Sequence, residues 1–459
     1  MSATSRALDQ DTIAAIATPS GRGGVSVIRV SGPEAKVIAE RLTQKTLQVR
    51  HPVLCRFIGD TGHVIDEGLT LVFEGPASFT GEDVAEFHGH GGVVVTNLLL
   101  EACLSLGARL ARPGEFSERA FLNNKLDLAQ AEGLADLIDA RTVEAARQAS
   151  ASLQGVFSNA VNDFNQKVIE LRVYVEASMD FPEEEIDFLN EGGVFDSLSD
   201  LKDEIGELIK KAQRGALMSR GAQIVMTGAP NAGKSSLMNR LANQAVAIVT
   251  DIPGTTRDVI RQSISIEGVA IQLSDTAGIR SASNEIEREG IQRAQAELER
   301  ADIIIEVIDD TASEKVDLSR ESTPQPLIRV HNKIDLSHRT PGLFIAPGSA
   351  EGGSGPATIA VSAVTGEGID ELERSIIQHL GFGDASATTP FSARERHVTC
   401  LKRADGMLQD ALLRFKTSKA GELLAEDLRD MHTELASITG AMSTDDLLGE
   451  IFSSFCIGK

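Results

Sequence analysis

The sequence predicts a multidomain chain of mixed α/β and α class: an N-terminal α+β domain, and a discontinuous helical domain that contains an inserted α/β domain with a mostly parallel sheet. Strand-like runs alternate with turns up to residue 125, and strands alternate with helices over 221–381. Helical periodicity with few glycines occupies 126–220 and 382–459. The 459 residues, 42% of them hydrophobic, are enough to bury several cores.

The N-terminal domain, residues 1–125, contains the strand-like runs TIAAIAT, GVSVIRVSG and LTLVFEG. A longer run, from Val93 to Leu106, is apolar nearly all round and stops at Gly107, which is typical of a helix that ends at a glycine. We expect this helix to be buried on all sides within a compact α+β domain.

The helical regions are 126–220 and 382–459. In the first, the segment FPEEEIDFLNEGG, which contains Pro182, separates two long periodic stretches. The second ends in the tail CIGK and shows helical spacing of Leu401, Met407, Leu408, Leu412 and Leu413. Because the two regions flank a different middle, the pattern favours one helical domain with an insertion. Two independent helical tails are the alternative, although neither region has an obvious core of domain size.

The middle region, 221–381, has α/β character, with the strand-like runs IVMTG, VAIQLSD, ADIIIEVID, PLIRVHN and TIAVSA. Alternating residues over 263–273 predict a hairpin that turns at Glu267 and Gly268. The stretch from Pro341 to Pro356 is rich in Gly, Pro, Ser and Ala, and we expect a surface loop there.

Charge and cysteine content exclude several classes of protein. There are 44 Lys and Arg against 67 Asp and Glu, a net charge of −23, which argues against a broad basic surface for nucleic acid. The four cysteines are far apart, which argues against a disulfide framework and a structural zinc site. The N-terminus has acidic residues where a signal peptide needs an apolar core, and no run would span a bilayer. We therefore expect a cytoplasmic protein with no membrane association.

A phosphate-binding motif follows the run IVMT. Residues Gly228 to Ser235, GAPNAGKS, match G-x-x-x-x-G-K-[ST] between a predicted strand and a predicted helix. Its glycines let backbone N–H groups face phosphate oxygens, Lys234 neutralises the terminal phosphates, and the Ser235 hydroxyl can ligate magnesium. A glycine-rich turn without function is the alternative, but the position after a strand disfavours it.

Further motifs follow in the order that a guanine nucleotide site requires. Asp275 begins D-T-A-G after the strand VAIQLS and can hold magnesium through water. Asp335 in N-K-I-D can accept hydrogen bonds from the N1–H and 2-amino groups of guanine, which adenine does not offer in that arrangement. Ser362 and Ala363 would complete the base pocket, and Thr255 or Thr256 in G-T-T-R-D would supply a hydroxyl for magnesium. Together these motifs predict a GTPase.

These motifs, GxPNxGKSS, GTTRD, DTAG, NKxD and SA, resemble the TrmE-Era-Septin-like class of GTPases and imply a Ras-like P-loop domain. Ile279 stands where many small GTPases have a water-orienting glutamine, so another residue must orient the water. Glu285, Glu287 and Glu289 lie just beyond it. On the sequence alone, a solvated helix face is the simpler interpretation of these acids.

The whole chain resembles the MnmE family, also called TrmE, of tRNA modification GTPases. This resemblance rests on the segments DTIAAIATPSGRGGVSVIRVSG, SFTGEDVAEFHGHGG, ARPGEFSERAFLNNKLDLAQAE, DFPEEEIDF and DDLLGEIFSSFCIGK. It implies that residues 1–125 bind a folate and dimerise, and that the homodimer forms a heterotetramer with an MnmG-type protein, which alone carries FAD. The implied reaction adds a carboxymethylaminomethyl or aminomethyl group to carbon 5 of the wobble uridine of certain tRNAs, held largely by the partner. A tetrahydrofolate derivative, in the 5-formyl or 5,10-methylene form, supplies one carbon.

The resemblance also implies a set of site residues. For GTP they are Asn231, Ala232, Gly233, Lys234, Ser235, Ser236, Thr250, Asp251, Ile252, Pro253, Gly254, Thr255, Thr256, Asp275, Thr276, Ala277, Gly278, Asn332, Lys333, Asp335, Ser362 and Ala363. Ser235 and Thr256 match the magnesium ligands, and the potassium ligands match Asn231, Thr250, Ile252 and Thr255. The folate ligands match Arg29, Glu86, Lys125 and Lys459. Without the resemblance, Arg29 and Glu86 could equally form a surface ion pair.

Two residues are implied to be catalytic. Glu287 matches the family's water-orienting glutamate, and Cys456 in the terminal CIGK matches the cysteine that modification requires. A lone cysteine near a chain end is usually inert, but Cys456 follows an apolar helix opened by a capping box at Ser443 to Asp446. That helix could hold the tail in a fixed place, and Lys459 could lower the pKa of the thiol.

Two other functions compete with this one. A related GTPase could act as a ribosome-assembly switch, although the acidic helical regions lack a recognisable RNA-binding motif. Alternatively, the chain could be a folate-dependent one-carbon transferase that merely carries a regulatory GTPase.

Overall fold

A computed structural model of the chain describes residues 11–60, 62–180, 193–244, 246–247, 261–275, 295–312, 325–344, 357–383, 390–441 and 445–458. The chain divides into two compact units, one formed by Met1–Ala135 with Arg429–Lys459 and the other by Asp136–Leu428. The predicted boundaries after residues 125, 220 and 381 stay predictions.

The strands are β1 (Ile13–Ile16), β2 (Ser26–Ser31), β3 (Val53–Ile58), β4 (Val64–Phe73), β5 (Val84–Gly89), β6 (Arg109–Leu110), β7 (Ala222–Thr227), β8 (Val246–Ala247), β9 (Arg261–Ile266), β10 (Val269–Asp275), β11 (Ile303–Asp309), β12 (Leu327–Asn332), β13 (Gly342–Phe344) and β14 (Ala357–Ala360).

The helices are α1 (Ala35–Thr43), α2 (Val93–Ser105), α3 (Glu115–Leu122), α4 (Leu128–Asp139), α5 (Val143–Leu153), α6 (Val156–Asp180), α7 (Val194–Arg220), α8 (Lys234–Gln244), α9 (Ile334–Ser337), α10 (Ile369–His379), α11 (Glu395–Ser418), α12 (Gly421–Thr439) and α13 (Asp445–Ser453). As predicted, two long helices, α6 and α7, flank the segment that contains Pro182.

The first unit is built on a six-stranded sheet in the order β3-β4-β5-β2-β1-β6. Neighbouring strands are antiparallel except for β1 and β6, which are parallel. Inward residues of the strands, among them Ile28, Phe57 and Phe87, form a buried core with residues of α1 and α2. Side chains alternate along each strand, so Arg29 and Glu86 face away from this core.

Helix α2 corrects the expectation of a helix buried on all sides. Thr96, Leu99, Ala102 and Cys103 are buried, but Val94 is 70% exposed and Leu98 is 45% exposed. The helix covers the sheet with one face only, so its other apolar side chains meet solvent. Asn97, Glu101 and Ser105 mark this outer face, but the exposed Val94 and Leu98 beside them make the helix look apolar nearly all round in the sequence.

The C-terminal segment packs within the first unit. Phe452 and Phe455 stack edge to face, with ring centroids 5.4 Å apart, and form a cluster with Leu128 and Ala131. Phe121 of α3 also packs on this cluster. Helix α13 and the tail are therefore held by aromatic burial beside α3 and the start of α4.

The second unit contains an eight-stranded sheet in the order β13-β14-β12-β11-β7-β10-β9-β8. Its five central strands, from β14 to β10, are parallel, while β8, β9 and β13 add antiparallel edges. Side chains of these strands are buried with those of α8 and α10 in one cluster. The mostly parallel sheet and the hairpin at Glu267 and Gly268 confirm the predictions for this region.

The stretch from Pro341 to Pro356 was predicted as a surface loop, and part of that prediction is wrong. Gly342, Leu343 and Phe344 form β13, which pairs with β14 at the sheet edge. A three-residue strand inside a Gly- and Pro-rich stretch is too short to show alternation in the sequence. Residues 345–356 lie outside the described part of the chain.

Helices α5, α6, α7 and α11 and the start of α12 form the helical part of the second unit. Helices α7 and α11 pack against each other, and both bury apolar residues such as Leu198, Ile205 and Leu401. Leu413, one of the residues with helical spacing, is 66% exposed and lies outside the core. Across the parts of the chain that are described, no helix is both long and apolar enough to cross a bilayer.

Candidate functional site

The loop between β7 and α8 is shaped by three residues with positive φ. These are Gly228 at 141°, Asn231 at 63° and Gly233 at 94°. A Cβ atom on Gly228 would lie 2.2 Å from the carbonyl oxygen of Val307, so β11 leaves no room for a side chain. Such a turn can aim successive backbone N–H groups at an anion at the start of α8. Lys234, only 5% exposed, donates from Nζ to the carbonyl oxygens of Gly228 and Ala229 at 3.0 and 2.9 Å.

Asn332 ties this loop to the predicted base pocket. Its Nδ2 donates to the carbonyl oxygen of Ala232 at 3.0 Å, and its Oδ1 accepts from the backbone N–H of Ala363 at 3.0 Å. The side chain is 2% exposed, so these hydrogen bonds satisfy buried groups. A Cβ atom on Gly233 would lie 2.2 Å from Nδ2, which explains the glycine. One amide thus joins three motifs that are distant in the sequence.

The predicted guanine ligand, Asp335, lies beside Ser362. The Ser362 hydroxyl donates to Oδ1 of Asp335 at 2.7 Å and accepts from the backbone N–H of Thr365 at 3.1 Å. This contact fixes the carboxylate against the loop that begins at Ser362. The carboxylate is an acceptor that suits the adjacent N1–H and 2-amino groups of guanine.

Lys333 lies between Asn332 and Asp335 in the sequence. Its φ is 69°, and its Nζ forms an ion pair with Oδ2 of Asp309 at 2.6 Å. Burial alone would raise the pKa of Asp309, but the hydrogen bonds from Lys333 and Thr311 bring the pKa below its usual value. The carboxylate at the end of β11 therefore stays ionised and holds the N-K-I-D segment in place.

Oxygens suited to a divalent cation meet at the start of α8. The Ser235 hydroxyl lies 3.3 Å from Oδ2 of Asp275, which ends β10. A hydroxyl and a carboxylate beside a phosphate-binding loop are hard oxygen ligands of the kind that magnesium prefers.

The structure brings together the described residues predicted for the nucleotide, at the carboxyl ends of β7, β10, β12 and β14. That edge is where open α/β sheets bind ligands. Ser236 follows Ser235 in the first turn of α8 and is exposed. Several predicted residues lie outside the described part of the chain: Thr250, Asp251, Ile252, Pro253, Gly254, Thr255, Thr256, Thr276, Ala277, Gly278, Glu287 and Lys459.

A second group of predicted residues lies on the open face of the six-stranded sheet. Arg29 on β2 and Glu86 on β5 are paired in register, and Nε of Arg29 donates to Oε1 of Glu86 at 2.9 Å. The guanidinium also lies 5.3 Å from the ring centroid of Phe79 and 5.8 Å from that of Phe116. His88 Nε2 lies 3.3 Å from the other Glu86 oxygen. This face therefore offers charged edges beside aromatic faces.

Lys125, the third predicted folate ligand, is in the loop after α3. Its Nζ donates to the carbonyl oxygen of Pro76 at 2.9 Å, while Asn123 in the same loop donates to the carbonyl oxygen of Thr80 at 2.8 Å. Both contacts link the end of α3 to the segment between β4 and β5.

The tail around Cys456 is docked by its backbone. The backbone N–H of Gly114 donates to the Cys456 carbonyl oxygen at 3.3 Å, and Phe455 on one side is only 7% exposed. Gly458 is buried with φ of 94°, and a Cβ atom on it would lie 2.3 Å from the carbonyl oxygen of Ile16. The thiol itself is exposed. The last turn of the chain is thus held beside β1 while its cysteine faces solvent.

Sequence reasoning missed a partly buried ionic network around α3. Arg119 of α3 is 4% exposed and donates to Asp11 at 2.8 Å, Glu82 at 3.1 Å and Glu115 at 3.2 Å. Arg109 also pairs with Asp11 and Glu115. Burial raises the pKa of Glu115, but the hydrogen bond from Arg109 and the neighbouring guanidinium charges outweigh it and lower the pKa to about 2. In the sequence these charges look like those of any solvated helix.

A phosphate-binding loop, oxygens for a divalent cation and a guanine-type pocket at one edge of a parallel sheet define a P-loop GTPase domain, here inserted in a helical domain. Two family models match the chain: the MnmE helical domain over residues 128–456 and the N-terminus of the GTP-binding protein TrmE over residues 12–125. The chain belongs to the MnmE family of tRNA modification GTPases.

Individual relatives agree with the family models over nearly the whole chain. A tRNA modification GTPase MnmE of Stutzerimonas stutzeri is 50% identical over 458 residues, covering 98% of this chain and 99% of the relative. Proteins of that name from Pseudomonas syringae and Pseudomonas aeruginosa are each 49% identical, over 459 and 457 residues, with the same shares of both chains.

Proposed function

We propose that this chain hydrolyses GTP with Mg²⁺ and K⁺ and uses that cycle to modify the wobble uridine of tRNA together with an FAD-containing partner. The observation that carries the nucleotide part is the Asn332 amide, which joins the phosphate-binding loop to the loop that presents Asp335. The tRNA part rests on membership of the family, whose matched relatives are tRNA modification GTPases.

For hydrolysis, the chain's own groups bind and orient the nucleotide. The backbone N–H groups of the loop and Lys234 would hold the phosphates, and Asp335 would select guanine. Ser235, with Thr256, would hold magnesium, and Asn231, Thr250, Ile252 and Thr255 would hold potassium. Bound beside the phosphates, such cations offset the charge that develops in phosphoryl transfer. Glu287 would orient the attacking water, since Ile279 has no group that can hydrogen-bond to it.

For modification, we propose that a tetrahydrofolate derivative binds to the open sheet face of the first unit. The contacts of Arg29 with Glu86, Phe79 and Phe116 fit a ligand that has carboxylates, a flat ring and an N–H edge. Lys125 and Lys459 would complete the site. The folate would supply the one-carbon unit of the group added to carbon 5, and the homodimer would work in a heterotetramer with an MnmG-type protein.

The exposed Cys456 thiol is the reactive group that the docked tail offers. The Gly114 hydrogen bond and the burial of Phe455 and Gly458 hold the backbone of the tail beside β1, and Cys456 is exposed on it. We propose that this cysteine takes part in modification and not in GTP hydrolysis.

The decisive experiment is nucleoside analysis of bulk tRNA from a strain that lacks this chain. The strain is restored with the wild type, Lys234→Ala or Cys456→Ser. We expect the modified wobble uridine to disappear without the chain and to return only with the wild type. A nucleoside profile that never changes would refute the modification and leave a ribosome-assembly switch as the better function. A profile rescued by Lys234→Ala would favour a one-carbon transferase that merely carries a GTPase.

The cation and folate parts are tested separately on the purified chain. GTP turnover is compared in KCl and NaCl of equal ionic strength, and we expect faster turnover in KCl that Asn231→Ala abolishes. Equal turnover in the two salts would remove potassium from the proposal. Binding of 5-formyltetrahydrofolate is measured by calorimetry, with Arg29→Met expected to weaken it at least about tenfold. Arg56→Met, which removes an exposed arginine of β3, serves as the matched control.

A further inference from the structure

Arg240 of α8 holds the loop that follows Ser362. Its Nε donates to the carbonyl oxygen of Ala363 at 2.9 Å, and its Nη2 donates to that of Val364. Gly366, at φ of 91°, closes the loop against the guanidinium, since a Cβ atom on it would lie 3.7 Å from Cζ. One planar cation thus binds two successive carbonyl groups, with charge-assisted hydrogen bonds of the stronger kind.

Among the described residues, the other hydrogen bonds of this loop stay within residues 362–369 or reach the N-K-I-D segment. The Ser362 carbonyl oxygen accepts from the Gly366 N–H at 2.8 Å, within the loop, and the Ala363 N–H donates to Asn332. The carbonyl groups of Ala363 and Val364 accept hydrogen bonds from Arg240. The same peptide segment is therefore bound twice, by Asn332 through the Ala363 N–H and by Arg240 through the two carbonyl groups.

The position of this segment matters because of the chemistry of guanine. In guanine, the acceptor O6 is adjacent to N1–H. Because Asp335 would accept a hydrogen bond from N1–H, O6 would lie beside the Asp335 carboxylate. Ser362 bonds to Asp335, and the Ala363 N–H already donates to Asn332, so the next N–H in the chain, that of Val364, is the donor that would meet O6. That donor recognises guanine only when the segment is held at the correct distance.

We propose that Arg240 is a specificity-determining positioning residue, which holds the Ala363–Val364 segment so that its backbone meets O6 of guanine. This inference rests on the guanine site proposed above. Arg240 lies on the helix whose first turn, at Lys234 and Ser235, would hold the phosphates. It therefore joins the phosphate end of the site to the base end through one rigid helix.

The experiment measures binding of three nucleotides to the full-length chain by fluorescence competition. GDP and inosine 5′-diphosphate both keep O6 and N1–H, whereas 6-thio-GDP keeps N1–H and the 2-amino group but replaces O6 by a weakly accepting sulfur. For Arg240→Ala we expect about tenfold weaker binding of GDP and of inosine diphosphate, and less than about threefold weaker binding of 6-thio-GDP. In turnover, KM for GTP should rise about as much as Kd for GDP rises, with kcat within about twofold.

Further variants separate positioning from simple stabilisation. Arg240→Lys keeps the charge but not the two-pronged geometry, so its losses should be intermediate and show the same dependence on O6. Arg374→Ala, which removes an exposed ion pair on α10, should leave all three affinities unchanged. Equal losses on all three nucleotides would overturn the inference and make Arg240 a stabilising residue only. ADP is measured as a fourth nucleotide on the wild type, and if the wild type did not prefer GDP to ADP, the proposed guanine site would fail instead.

Discussion

The two sheets present their proposed ligand groups in different ways. In the mostly parallel sheet of the second unit, the groups follow the ends of strands, and backbone atoms around Gly228, Gly233 and Ala363 would do much of the binding. In the mixed sheet of the first unit, Arg29 and Glu86 stand in the middle of strands, in register with each other. We therefore expect that Arg29 or Glu86 can be substituted without moving the backbone. At Gly228 and Gly233 even the methyl group of an alanine would collide with neighbouring atoms.

The interiors behind the two sites also differ. The parallel sheet is packed by aliphatic side chains of its strands and of α8 and α10. The mixed sheet is anchored at α3 by the ionic network of Arg119, Arg109, Glu115, Glu82 and Asp11. We therefore expect the first unit to be the one whose stability depends on individual charges and on pH.

The largest effect on nucleotide affinity is expected for Gly233→Ala. An alanine at φ of 94° is strained, and its Cβ would displace the Asn332 amide that joins the two halves of the nucleotide site. Strain of about 1–2 kcal/mol and the loss of buried hydrogen bonds together predict GDP binding weaker by at least about 100-fold. Fluorescence titration measures it. An affinity within threefold of the wild type would show that the strand ends tolerate backbone change and would break the comparison.

The largest effect on stability is expected for Arg119→Met. Removing a guanidinium that is 4% exposed leaves three carboxylates without their shared partner, which predicts a loss of about 3–5 kcal/mol in the stability of the first unit. Hydrogen exchange of peptides from residues 13–31 under increasing urea measures this. Arg56→Met, at a pair more than half exposed on both sides, should change it by less than about 1 kcal/mol. Equal losses of stability in the two variants would mean that burial of the network does not increase its contribution to the stability of the first unit.

The pH dependence of the same network is expected to be smaller. The folded state holds the pKa of Glu115 at about 2, below its usual value, so its stabilising contribution is present above about pH 5 and is lost as the pH falls towards 2. Glu115→Gln should therefore be less stable than the wild type at pH 6, and the gap should narrow below pH 4. Thermal unfolding followed by circular dichroism tests this, and a constant gap would contradict it.

The smallest effect is expected for Gly206→Ala in α7. No atom lies within 4 Å of the position of the added Cβ, so only helix propensity changes. We expect a gain of about 0.5–1 kcal/mol in stability, with GDP affinity unchanged. It is the matched glycine control for Gly233→Ala, because both changes add one methyl group. A loss of GDP affinity in this variant would mean that the helical part acts on the nucleotide site.

The sequence predicted the elements whose signals are local. The strands of the parallel sheet, the phosphate-binding loop and the hairpin at Glu267 follow from apolar runs and glycine positions that each occupy a few residues. It did not predict β13 or the two-residue β6, because such short strands are defined by their partners and not by their own pattern. The exposed face of α2 was missed for a similar reason, since Val94 and Leu98 have the same apolar character as the buried Leu99.

The site was predictable where residue types alone state the chemistry, as in Asp335 or Lys234. It was not predictable where a common residue acts through a distant contact. Arg240 and Arg119 look like ordinary helix arginines, and only the fold brings their guanidinium groups to Val364 and to Asp11. The dual role of Asn332 belongs to the same class, because its two partners are 100 and 31 residues away.

The packing of the C-terminal helix has a consequence for the synthesis of the chain on the ribosome. Phe452 and Phe455 cover Phe121, Leu128 and Ala131, which are synthesised more than three hundred residues earlier. At a synthesis rate of about 5–20 residues per second, that apolar surface stays exposed for roughly 15–60 s before Phe452 and Phe455 are made. The apolar surface of Phe121, Leu128 and Ala131 is therefore exposed to water during most of the synthesis of the chain. We expect cellular chaperones to bind the nascent chain there.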